Sequence, residues 1–210
     1  MTKGCLITFE GIEGSGKTTQ LQLLADRLRR RDVRVVTTRE PGGTQLGERI
    51  RDLLLDPRLT PVAAAELFLL EAARAQVVAT VIVPALEDGA FVLSDRFADS
   101  SLAYQGTARS LGAETVARLN ALACGGVVPD RTLVFHIEAE TALARARGRA
   151  STTAANRRFE DEDLTFHRAV ASAYLELAKA SPGRVKVVNA AGTPEDVFQR
   201  TLAALDGLLP

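Results

Sequence analysis

The residues Gly11-Ile12-Glu13-Gly14-Ser15-Gly16-Lys17-Thr18 constrain this chain more than any other stretch. They satisfy G-x-x-x-x-G-K-[ST] at every fixed position. An apolar run, Cys5-Leu6-Ile7-Thr8-Phe9, precedes them, and a segment with helical patterning, Gln20 to Arg31, follows. Strand, glycine-rich loop and helix in that order make a phosphate cradle. The glycines let successive backbone N–H groups point inward, and the helix N-terminus adds a fixed partial positive charge. Gly11, Ile12, Glu13, Gly14, Ser15, Gly16, Lys17, Thr18 and Thr19 therefore read as the site for the phosphates of a nucleotide such as ATP. Lys17 is placed to reach the β- and γ-phosphates, and the Thr18 hydroxyl to hold Mg2+. A metal in such a site needs an acid as well. Phe91-Val92-Leu93-Ser94-Asp95 is an apolar strand that ends in one, so Asp95 is the second expected metal-holding residue.

The rest of the chain supplies the matching architecture. Strand-like runs at Cys5 to Phe9, Val33 to Thr38, Phe91 to Ser94, Leu133 to Ile137 and Val185 to Val188 alternate with helix-length segments. The helical segments are Lys17 to Arg31, Thr44 to Leu55, Val62 to Glu87, Ala113 to Ala123, Glu138 to Arg147, Asp163 to Ala180 and Pro194 to Leu209. The last has Thr193 as its N-cap and Pro194 at the first helical position. The expected fold is α/β, of the P-loop NTPase type: three layers, a five-stranded parallel sheet, helices on both faces, and ligands at the carboxyl ends of the strands. Residues 1–210 read as one domain. Gly148 to Asn156 is small and polar and leads into Arg157 and Arg158, which suggests a short lid over about 147–160.

Basic and acidic residues cancel, 26 against 26, which argues against a broad nucleic-acid surface while leaving room for a few arginines in one pocket. Cys5 and Cys124 make neither a metal-ligand spacing nor a disulfide framework. The N-terminal residues enter a strand without a signal-peptide pattern, and no apolar stretch is expected to span a membrane, so a cytoplasmic protein is the expectation. A P-loop alone serves GTPase switches, partner-regulated ATPases and kinases alike. The guanine-reading run Asn-Lys-x-Asp does not occur.

Longer segments narrow the choice. Phe9-Glu10-Gly11 running into the P-loop with Thr18-Thr19, Thr38-Arg39-Glu40-Pro41-Gly42-Gly43-Thr44, Asp95-Arg96-Phe97, Asp99 to Gly106, Pro129-Asp130 and Tyr174 to Ala178 together resemble the bacterial thymidylate kinases over nearly the whole chain. The resemblance implies transfer of the ATP γ-phosphoryl group to dTMP, with Mg2+, in a homodimer formed through helices that flank the sheet. A kinase for another nucleoside monophosphate, and a slow nucleotide switch, are the alternatives.

The resemblance also implies roles. Arg51, Arg74 and Arg96 bind the acceptor phosphate and nucleotide, as suits a planar guanidinium facing phosphate oxygens. Ser101, Tyr104 and Gln105 line the base and sugar pocket, where Tyr104 can crowd the sugar 2′ position. Glu13 contacts the sugar 3′-hydroxyl or a metal-bound water, and Glu10 is a structural residue beside the loop. Lys17, Arg96 and Glu13 are expected to act in catalysis. The P-loop position that carries arginine in some relatives is Gly14 here, so transition-state charge must come from the lid. Arg149 and Arg158 are the first choices, followed by Arg157 and Arg147. Pro41 is expected to follow a cis peptide. The family's stacking phenylalanine, four residues before the helix arginine, is Leu70 here, and Ala171 stands where many relatives have arginine. His136 and His167 are read as structural.

Overall fold

The structure is a computed structural model that describes residues 4–148 and 158–210. Five strands, β1 (Cys5–Glu10), β2 (Val35–Arg39), β3 (Phe91–Asp95), β4 (Arg131–His136) and β5 (Val185–Asn189), form one parallel sheet in the order β2-β3-β1-β4-β5. The chain leaves β1, builds β2 and β3 on one side, then crosses to β4 and β5 on the other. The loop after β1 therefore lies where strand order reverses, the place at which open α/β sheets bind ligands. Pairing is in step across this edge: Phe9 and Arg39 both register with Asp95, which brings Phe9, Arg39 and Asp95 to one level, with Glu10 one residue beyond.

Alternation along β1 divides the core. Ile7 and Phe9 belong to a cluster with Leu21, Leu24 and Leu28 of α1 (Lys17–Arg29) and with Phe198 of α9 (Pro194–Ala204). Leu6, on the opposite face, joins Val77, Ile82, Val92 and Phe97. Both faces are thus covered, and the strands read as continuous apolar runs because neither face meets water. Thr193 and Asp196 form the capping box that starts α9.

The remaining helices are α2 (Gln45–Leu55), α3 (Ala63–Val77), α4 (Val83–Glu87), α5 (Ala98–Ser101), α6 (Ala113–Cys124), α7 (Ala139–Arg147) and α8 (Leu164–Ala180). A π-helical turn, Val78–Ile82, joins α3 to α4, so the single helix expected over Val62 to Glu87 is one rod with a widened turn before Pro84. Its 25 residues are long and apolar enough to cross a membrane by length and composition, contrary to the sequence expectation. In the fold this rod packs on α2, α6 and β3 and carries Glu66, Glu71 and Arg74 inward. A second π-helical turn, Leu102–Ala108, continues α5 and was not expected as a helix at all. The last helix ends at Ala204 rather than Leu209.

Candidate active site

The P-loop has the geometry of an anion cradle. Gly16 precedes α1 with φ +91, and no side chain caps the first turn, so its free N–H groups face the loop. Gly14 has φ +79, and a Cβ there would lie 1.8 Å from the Ala142 carbonyl oxygen. The base of α7, the helix that leads to the 149–157 segment, thus sits directly on the P-loop. Lys17 Nζ donates to the carbonyls of Gly11 (2.9 Å) and Ile12 (2.8 Å). Burial, and Arg96 after it, lower the Lys17 pKa to about 8. The Thr18 hydroxyl donates to Asp95 Oδ2 at 2.5 Å, so the two oxygens expected to hold Mg2+ already converge, and a hard cation with oxygen ligands fits them.

Arg96 is the centre of the site. Its φ of +73 is uncommon for a residue with a side chain and turns the chain sharply after β3. Its guanidinium donates to Glu13 Oε1 (2.6 Å), Tyr104 Oη (3.0 Å) and Ser100 Oγ (3.1 Å), and lies 4.8 Å from the Tyr104 ring centroid. Burial works against its charge, but Tyr104 and Glu13 beside it hold its pKa well above the usual value. Burial likewise opposes ionisation of Glu13, yet Arg96 and Lys17 keep that carboxyl below its ordinary range. Glu10, fully buried, accepts from Phe97 N (2.7 Å), Ser100 Oγ (2.5 Å) and Tyr174 Oη (2.8 Å), and so fixes the turn that carries Arg96. Burial, then the nearby Asp99, raise its pKa to about 7.

A cavity of about 430 Å³ runs from Gly14, Lys17, Thr18 and Asp95 to Leu70, Ser101 and Gln105. That size suits a small-molecule ligand. Glu13, Arg51, Arg74, Arg96 and Tyr104 also line it. Arg51 donates to the Pro41 carbonyl (3.1 Å), and among the described residues it makes no ion pair. Burial, then Arg39, lower its pKa. The Glu40–Pro41 peptide is cis.

Arg74 is different. It is 1% exposed and donates through Nε to Glu40, through Nη1 to Glu71 (2.7 Å) and Asn120 (2.6 Å), and through Nη2 to Ser101 (3.0 Å) and the Phe97 carbonyl (3.3 Å). A guanidinium has five N–H groups. All are spent on the protein, so Arg74 forms the floor of the cavity and has no donor left over for an acceptor phosphate. Arg39, to which sequence reasoning assigned no role, lines the same cavity, held by Glu48 at 2.7 Å. Its place in T-R-E-P-G-G was the available signal.

The lid residues are less assembled. Arg149 and Arg157 lie outside the described residues. Arg158 is described, and it does not border the cavity: its guanidinium donates to Glu66 (2.5 Å) and to the Leu54 carbonyl (2.8 Å). The next residues, Phe159 and Glu160, do line the cavity and were not foreseen. His167 is fully buried, with Nδ1 3.6 Å from Glu13 Oε2.

A phosphate cradle bordering one cavity with the Thr18 and Asp95 oxygens, several arginines, and Leu70, Ser101 and Gln105 is the layout of a P-loop kinase for small phosphorylated substrates. The comparisons with known proteins resolve the class further. The family model for thymidylate kinase matches residues 9–201. The thymidylate kinase of Pelobacter propionicus is 48% identical over 203 residues, covering 95% of this chain and 93% of that protein. That of Ectopseudomonas mendocina is 48% identical over 208 residues, with 99% and 95% covered. The crystal structure of thymidylate kinase from Ehrlichia chaffeensis superposes with a TM-score of 0.79 at 32% identity, over 97% of this chain and 98% of that one. The chain belongs to the thymidylate kinase family.

Proposed function

We propose that the chain transfers the γ-phosphoryl group of ATP to the 5′-phosphate of dTMP, giving ADP and dTDP for dTTP synthesis. One observation carries the reading: a single cavity holds the P-loop lysine and metal oxygens at one end and Leu70, Ser101 and Gln105 at the other, with Arg51, Arg96 and Glu13 between. An acceptor in that recess presents its phosphate toward the P-loop.

The roles follow from charge. Phosphoryl transfer is mostly positioning and electrostatics. The backbone from Gly11 to Thr19 and Lys17 hold the donor phosphates. Thr18 and Asp95 hold Mg2+, which when bound offsets phosphate charge. Arg51, the cavity arginine that pairs with no acid among the described residues, binds the acceptor dianion together with Arg96. Glu13 positions Arg96 until substrate arrives and then faces the sugar. Tyr104, aromatic and held by Glu13 and Arg96, packs against the sugar, while Ser101, Gln105 and Leu70 face the base. Arg149 and Arg158 supply transition-state charge from the lid. Arg158 leaves Glu66 to do so.

Arg74 acts through Ser101 and Glu40 rather than by its own contact. Exposed Phe68 and Val62 near the start of α3, and Leu122 on α6, support a homodimer through these helices. Sedimentation at micromolar concentration showing only monomer would sink the dimer.

The test is an ADP-release assay with ATP and Mg2+ on dTMP, dUMP, dCMP, UMP, CMP, AMP and GMP, with a no-acceptor control. Preference for dTMP is expected. Preference for another monophosphate would keep the chemistry and overturn the substrate, an outcome to which Leu70 in the stacking position gives weight. Equal turnover without acceptor would leave a nucleotide switch.

A further inference from the structure

Gln105 is 2% exposed and borders the cavity, yet only one end of its amide is tied down. Its Nε2 donates to Glu66 Oε1 at 2.8 Å. No donor among the described residues reaches its Oε1. Glu66, on the first turn of α3 and 1% exposed, does not border the cavity. It also accepts from Arg109 Nε (3.4 Å) and Arg158 Nη2 (2.5 Å), and neither arginine borders the cavity. Arg109 is held in turn by Glu162.

A carboxylate pinned between two guanidiniums offers acceptors only. The amide of Gln105 therefore has one permitted orientation. Inverting it would set Oε1 against Glu66 Oε1, two acceptors at hydrogen-bond distance with no proton between them, in a buried place where an unmade bond is costly. With one N–H committed to Glu66 and the orientation thereby fixed, the carbonyl oxygen, which no described donor reaches, is the acceptor the amide has left for a ligand.

We propose that Glu66 is a specificity-determining positioning residue: by claiming the amide nitrogen of Gln105 it leaves Oε1 facing the base, which admits a pyrimidine with an N3–H and rejects one with a bare N3. This rests on the reading of the cavity as the nucleoside monophosphate site. Thymine and uracil carry a proton on N3. Cytosine presents a lone pair there, which meets Gln105 Oε1 as a second acceptor. A site whose buried polar group has no partner discriminates far more strongly than an apolar wall sensing one methyl. The selection made by Glu66 is thus between thymine or uracil on one side and cytosine on the other, and it is blind to the 5-methyl group.

The experiment compares wild type, Glu66→Gln and Glu66→Asp with dTMP, dUMP and dCMP, reading kcat/KM for each. A glutamine at position 66 can turn a donor toward Gln105 and so release its amide to invert. The dTMP-to-dCMP ratio is expected to fall about tenfold or more in E66Q, while the dTMP-to-dUMP ratio holds. Aspartate offers acceptors only, so E66D keeps the dTMP-to-dCMP ratio even where its rates fall. A ratio unchanged in E66Q, with all rates lowered together, would overturn the proposal and leave Glu66 as a structural anchor for Arg109 and Arg158. Should E66Q fail to fold, the E66Q/R158M variant removes a cation along with the carboxylate and reads the same ratio. Wild-type enzyme adds a measurement free of folding effects: dTMP methylated at N3 should not compete with dTMP, and equal competition would overturn the acceptor role of Gln105. Failure of wild type to use any pyrimidine monophosphate would instead remove the proposed function, so the two readings fail separately.

Discussion

Replacing Arg74 with methionine keeps most of the apolar stem and removes a buried charge that two carboxylates share. Glu40 and Glu71 are 4% and 10% exposed at their side chains, and both pair with this guanidinium. Removing one member of a buried ion pair costs about 3–5 kcal/mol, because the other is left uncompensated. Two stranded acids, together with the lost donors to Asn120 and Ser101, place R74M in the upper part of that range at neutral pH.

The loss should depend on pH. Burial raises the Glu40 pKa from 4.5 to about 7, against the lowering effect of Arg74. A carboxyl whose folded pKa lies above its unfolded value binds a proton on folding between the two. Its contribution to stability therefore falls as pH rises through that window, here from about 4.5 to about 7 in the wild type. Without Arg74 the upper edge moves higher, and the decline continues past pH 7. Urea unfolding followed by far-UV circular dichroism, which needs no tryptophan, at pH 5, 6, 7 and 8 reads both effects. The deficit of R74M should be smallest at pH 5 and largest at pH 8. A deficit below about 1 kcal/mol, the scale of an exposed pair, or one that ignores pH, would refute the buried double pairing.

Two further outcomes follow from single groups. Leu70→Phe places an aromatic face at position 70, and stacking on a base is worth about 1–3 kcal/mol, so calorimetry should show dTMP binding at least about fivefold tighter; no change would mean that Leu70 does not cover the base. The Lys17 pKa of about 8 predicts that the ATP KM rises between pH 7 and 9 as the free enzyme loses the ammonium that attracts phosphate. A flat profile would show that Lys17 stays charged throughout.

What the sequence made legible is what depends on neighbours in sequence. The P-loop is contiguous, its glycines and Lys17 have fixed roles at fixed spacing, and the strand–helix alternation that frames it is local pattern. The helix over Ala98 to Ala108 was missed for the converse reason. Its serines and Gly106 are poor helix formers, and its start is held by Glu10, 87 residues from Phe97, rather than by a cap of its own. Arg74 could be placed on a helix by pattern, but its saturation could not. Its partners Glu40, Asn120, and the Phe97 and Ser101 pair that bounds α5 come from three separate parts of the chain. Arg158 reads as a lid cation by position, and it lies against Glu66 because a buried carboxylate 92 residues away outbids solvent for its charge.

Those long-range pairs share a logic that bears on turnover. Around the cavity Arg39 has Glu48, Arg74 has Glu40 and Glu71, and Arg96 has Glu13. Without substrate these three arginines are neutralised by resident acids, which leaves Arg51 and Lys17 as the cavity cations that have no acid partner among the described residues. In the proposed reaction an acceptor dianion must compete with Glu13 for Arg96, whereas at Arg51 it meets a guanidinium that among the described residues bonds only to a backbone carbonyl. On the proposed roles, Arg51 is the entry point and Arg96 the second step. Glu13, once displaced, remains within reach of Tyr104 and 3.6 Å from His167, so it can turn toward the sugar without becoming an isolated buried anion. Selection for a correctly seated acceptor arises in that exchange: a ligand too short to bring its phosphate to Arg96 leaves the Glu13 pair closed.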